Sequence, residues 1–174
     1  MAMGEPETAR RQSIAKPREA IHVVMGTDGM LRVGRGGRIS LDPSDIGFVH
    51  AVVVDLDRIA ATPEGEEVLR RGDAIGHHVR IVKPDPPTEP PNGWILPDDL
   101  AAATAQGVAA AGGGHTGTGA GCGSTIVYDP ADWPRRGDPR SPTSVGMLLL
   151  LLRQANLNAA GKSNPALPDW GDMA

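Results

Sequence analysis

Five consecutive leucines, Leu148 to Leu152, constrain this chain more than any other stretch. They lie inside "SPTSVGMLLLLLRQANLNAAGK", Ser141 to Lys162, which has both ends of a helix written into it. Ser141 supplies a cap, Pro142 suits the first helical position, and Gly161 followed by Lys162 marks the exit. With Met147 added, the middle of this helix is apolar all round for more than a turn, which requires central burial. The sequence therefore predicts a central buried helix over about 142–160, and the rest of the chain has to wrap it.

The material for wrapping is aliphatic. The chain has 174 residues, enough for one domain, with 40% hydrophobic residues but only 3% aromatic ones. Val, Ile, Leu, Ala and Met must fill the core. Gly 23 and Pro 16 together make 39 residues, so the domain should be rich in loops. Residues 1–19 are polar and aperiodic and read as a disordered lead-in to a single domain over 20–174.

Within that domain, "IHVVM" and "LRV" around "GTDG" predict a short hairpin, and "RGGR" a turn. Ser44 or Asp45 can cap a helix in which Ile46, Val49, Val52, Val53, Leu56, Ile59 and Ala60 recur at helical spacing. A second helix follows, with Thr62 as cap, Pro63 at its first position and Gly72 as stop. "HHVRIVKP" reads as a strand. "PDPPTEPPNGWILPDD" has six prolines among residues 84–99 and reads as an extended loop anchored by Trp94, Ile95 and Leu96. "LAAATAQGVAAA" is a candidate short helix, "GGGHTGTGAGCG" a flexible glycine loop, and "STIVY" a strand.

Several functions are disfavoured at this level. A net charge of −4 without basic blocks argues against nucleic acid. The densest basic cluster, Arg135, Arg136 and Arg140, reads as a solvated Pro-rich loop. The single Cys122 excludes an internal disulfide and a Cys-based structural zinc site. The first residues lack the apolar core of a signal peptide, and no apolar run approaches ~18 residues. The residues alone thus read as a cytoplasmic chain without a membrane partner. Gly112, Gly114 and Gly117 fit G-x-G-x-x-G, but an alanine-rich stretch precedes them and a strand follows, the reverse of a dinucleotide fingerprint. Cys122 and His115 lack a third orienting group for nucleophilic catalysis. None of the five histidines, His22, His50, His77, His78 and His115, stands one helical turn from another.

Three stretches taken together resemble one family. "LDRIAATPEGEEVLRRGDAIGHHVRIVKP" is similar to its front end, "GTGAGCGSTIVYDPADWP" to its middle, and "SPTSVGMLL" with "ANLNAAG" to the frame of its active-site helix. The family is that of the NleD-like effector zinc metallopeptidases, which includes type III secreted proteases and toxin domains of type VI spike and Rhs-type proteins. The resemblance spans about residues 20 to 165. It implies an α+β, zincin-like scaffold: a small sheet with the helix of about 142–160 at its centre. It also implies export by a type III or type VI route.

In that family the helix carries H-E-x-x-H, where two histidines one turn apart hold zinc and the Glu takes a proton from bound water. Aligned from "NAAG", the motif falls on Leu150, Leu151, Leu152, Arg153 and Gln154; shifted by one, on Leu149 to Arg153. Neither frame retains a ligand pair or a general base, because leucine offers no lone pair and Arg153 is a permanent cation. The family's third ligand and C-terminal helical part usually lie beyond Gly161. The chain runs on to Ala174, which reads as a shortened copy. The expectation is a degenerate metallopeptidase domain that needs no cofactor. It would act by binding a target protein or a parent secretion or toxin protein. A second reading is an active zinc peptidase using His115, Asp138 or Asp169 together with Gln154. A third is a structural domain without a site.

Overall fold

The structure is a computed structural model and describes residues 21–85, 91–109, 114–133 and 143–164. The lead-in, the arginine cluster, Ser141, Pro142, Asp138 and Asp169 lie outside the described residues.

The first three strands, β1 (Val23–Met25), β2 (Leu31–Val33) and β3 (Ile39–Leu41), form an antiparallel meander. Its first hairpin lies where "GTDG" places it. β3 goes beyond the sequence reading, which left "ISL" unassigned after the turn. Two helices then cross over, α1 (Ile46–Ala60) and α2 (Pro63–Ile75), and deliver β4 (Val79–Val82) parallel to β3. A parallel pair needs such a crossover, since no tight turn can reverse the chain. After β5 (Trp94–Pro97) and the one-turn α3 (Leu100–Ala103), β6 (Ser124–Val127) enters between β4 and β5. The chain closes with α4 (Ser144–Ala159). The result is a mixed α+β arrangement with a six-stranded sheet in the order β1-β2-β3-β4-β6-β5 and four α-helices among the described residues.

The strand register separates the two faces. One cross-strand row joins Val33, Ile39 and Val79, and another joins Ile81, Ile126 and Ile95. These residues belong to the core with Val52, Leu56 and Ile59 of α1 and Leu148, Leu151 and Leu152 of α4. The alternate row runs Val24, Arg32, Ser40, Arg80, Thr125, Leu96 and is mostly polar. Period-two alternation thus turns one face to the helices.

Helix ends follow the local chemistry, with two corrections. Asp45 caps α1 by accepting from the Phe48 amide, and Thr62 caps α2 by accepting from the Gly65 amide, with Pro63 in the first turn. Gly72 does not stop α2. It is a buried interior residue, and the helix runs on to Gly76, whose φ of 85° is the left-handed terminator. α4 begins at Thr143 rather than Ser141: the Thr143 side chain accepts from the Gly146 amide at 3.1 Å.

"WILP" is a strand, not part of a loop. Among the described residues β5 lies at the sheet edge, paired with β6, and carries its single proline at its last position, where a missing N–H is tolerated. Asn92 fixes the entry: its amide donates to the Asp129 carbonyl at 3.0 Å and accepts from the Asp129 N–H at 2.9 Å.

Candidate functional site

α4 packs against α1 and α2 on one side and against β5, β6 and α3 elsewhere, so it is central as the leucine run requires. Burial is nevertheless uneven. Leu148, Leu151 and Leu152 are buried, whereas Leu149 and Leu150 are only partly so. Arg153 is exposed and forms an ion pair with Glu64 in the first turn of α2.

Leu150 and Gln154 stand one turn apart on one face of α4, the disposition two zinc-binding histidines would need. Leu151, at the aligned position of the general base, is 0% exposed within the apolar core. Gln154 has a structural task. Its Nε2 donates to Asn158 Oδ1 at 3.1 Å and to the Ser163 hydroxyl. Ser163 also donates to Asn158 Oδ1, and Asn158 Nδ2 donates to Ser124 Oγ at 3.0 Å. This chain of polar groups, largely buried, locks the C-terminal end of α4 to the start of β6. In the shifted frame, Leu149 is partly buried and Arg153 is committed to Glu64.

Of the weaker metal candidates, one falls among the described residues. His115 is exposed beside the isolated bridge between Ala109 and Thr116, and Asp138 and Asp169 lie outside the described residues. Among the described residues there is no group of three or more His, Cys, Asp or Glu side chains able to hold a metal ion. Cys122 is buried with its thiol 3.3 Å from the Asp99 carbonyl oxygen. His78 lies 3.1 Å from the Asp98 carboxylate at the mouth of β4.

The described part of the glycine loop is packed rather than flexible. A Cβ on Gly121, whose φ is 78°, would fall 2.0 Å from the Ala159 carbonyl oxygen. The glycine therefore permits the loop to lie directly on the end of α4.

No family model, curated protein or solved structure matches this chain. The site must be judged on its own groups.

The opposite face of α4 borders a cleft. Leu152 and Asn156 lie about 200° round the helix from Leu150 and Gln154 respectively, and they line a cavity of ≈ 860 Å³. Its apolar wall is made of Val33, Ile39, Leu56, Leu69 and Leu152. Arg38, at the entry to β3, joins this wall although it is only 7% exposed. Its Nη2 donates to Asn156 Oδ1 at 2.9 Å, and Asn156 in turn donates to the Val68 carbonyl at 2.9 Å. Burial pulls the Arg38 guanidinium below its usual range, opposed by the nearby Asp73 carboxylate. Sequence patterning gave no hint of this cleft, because Arg38 stood inside an apparent turn.

A second buried polar pair also escaped the sequence reading. Tyr128 donates to Asp55 Oδ2 at 2.6 Å, and Arg58 reaches Asp55 Oδ1 at 3.2 Å. Tyr128 is fully buried, and burial followed by its bond to Asp55 pushes its hydroxyl well above the usual tyrosine range. One signal was available: Asp55 sits between Val52 and Leu56 on the apolar face of α1, where a carboxylate needs a buried donor.

Across the described residues, no helix is long and apolar enough to cross a membrane.

Proposed function

We propose that this chain is a metallopeptidase-like domain that has lost its chemistry and acts by binding a protein partner within a secreted bacterial effector or toxin. The observation that carries the reading is the state of α4. Its two positions for zinc ligands hold Leu150 and a Gln154 spent on Asn158 and Ser163, and the position for the general base holds Leu151 inside the core. Hydrolysis by a zincin-type helix needs two imidazoles and a carboxylate there. Leu151 gives the helix packing energy instead, roughly 1.5–3 kcal/mol for a fully buried side chain, and the partly buried Leu150 a fraction of that.

The resemblance of the flanking segments supplies the family and the effector context. The partner is the target protein or the parent secretion or toxin protein. The test is digestion of a proteome-derived peptide pool by the purified chain, with and without added zinc. No new termini are expected above those of a buffer control. Chelator-sensitive cleavage would overturn the reading.

A further inference from the structure

We propose that the cleft between β2, β3, α2 and α4 is a binding site for a carboxylate that carries a branched aliphatic group, with Arg38 as its anion anchor.

The charge of Arg38 is unsettled within the fold. A guanidinium has five N–H donors and cannot shed its proton in a protein. Arg38 is only 7% exposed, yet among the described residues its one hydrogen bond runs to a neutral amide, Asn156 Oδ1. Nη1 is buried without a partner, and among the described residues no carboxylate forms an ion pair with the group. Asp73 acts on it only through space. A buried cation in that condition is costly unless an anion joins it.

The surroundings are shaped to keep the cation there. Gly72 of α2 lies directly over it, where a Cβ would come within 2.5 Å of Cζ and Nη1 and 2.8 Å of Asn156 Oδ1. Glycine at this interior helical position costs about 1 kcal/mol relative to alanine, so its presence favours the guanidinium over the helix.

The cleft decides the class of anion. Beside Arg38 the lining sets Asp73 and Glu66 against Arg35, Arg70 and His22, a mixed charge set in which the buried Arg38 is matched by a single carboxylate. Glu67 takes both Nε and Nη2 of Arg70. The apolar wall of Val33, Ile39, Leu56, Leu69 and Leu152 is aliphatic throughout and fits a branched alkyl group. A volume of ≈ 860 Å³ lies in the range of small-molecule sites and also admits the last few residues of a peptide. A free acid and a peptide C-terminus share the recognised chemistry.

This site lies on the other face of α4 from Leu150 and Gln154 and needs no metal, so it stands or falls separately from the proposed function. The probes are N-acetylleucine and a tetrapeptide ending in leucine, each against its C-terminal amide, and inorganic phosphate. Binding is read by calorimetry and by amide chemical shifts of the full chain. Saturable binding of one or both acids is expected, with shifts centred on Gly34, Gly36 and Gly72, and at least tenfold weaker binding of amides and phosphate. Tighter binding of the tetrapeptide would assign a chain end, and tighter binding of N-acetylleucine a free acid. Arg38→Gln should abolish binding. Leu69→Trp, which fills the cleft and keeps the cation, should do the same if Arg38→Gln fails to fold. No saturation by either acid, equal binding of acid and amide, or binding unchanged in a folded Arg38→Gln or Leu69→Trp chain would overturn the assignment.

Discussion

At the scale of single residues, buried polar groups carry the most specific information in this fold. The Tyr128–Asp55 bond joins β6 to α1 through the core, and its loss leaves a buried carboxylate short of a donor. Tyr128→Phe is expected to destabilise the chain by about 1–3 kcal/mol in urea unfolding, with little change in the slope. The same pair sets an alkaline limit. Because the folded hydroxyl titrates above its ordinary value, its contribution is complete below the unfolded tyrosine pKa of ~10 and is lost as pH rises beyond it. Unfolding midpoints should therefore fall above pH ~10 in the native sequence, and fall less in Tyr128→Phe. A parallel decline in both would show that Tyr128 is not the group responsible. The sequence reading passed over Asp55, although a carboxylate on an apolar stripe is a signal; its partner carried none, since 73 residues separate the two in sequence.

At the scale of elements, local signals and tertiary context divide the work. The hairpin, α1, the start of α2, β4, β6 and the body of α4 follow from spacing and caps in the sequence. β5 does not, because the prolines before it hide a strand that exists only through pairing with β6. The end of α2 was also illegible, since Gly72 looks like a stop and is in fact a place for Arg38. α4 offers a direct check on capping. Thr143→Ala should cost about 1 kcal/mol in urea unfolding, and an unchanged midpoint would show that the cap contributes nothing. Gly121 tests the packed loop. Alanine there meets the Ala159 carbonyl and an unfavourable positive φ, so a loss of about 2–5 kcal/mol is expected from strain and overpacking together. A thermal melt indistinguishable from the native chain would mean the loop is free of α4 after all.

At the scale of the whole molecule, one helix separates two surfaces. The Gln154 face is tied into the buried polar chain that joins α4 to β6, and the Leu152–Asn156 face opens on the cleft. The sequence drew attention to the first face through the proposed resemblance to a zinc helix. The second was invisible, since β2, β3, α2 and α4 meet only in the folded chain. The central claim is that α4 is a zinc-helix frame without zinc chemistry. Its most direct test is elemental analysis of the purified chain after chelator dialysis and reloading with zinc. Far less than one zinc per folded chain is expected, with no change in melting temperature on reloading. One tightly held zinc per chain, stabilising the fold and removable by chelator, would contradict it.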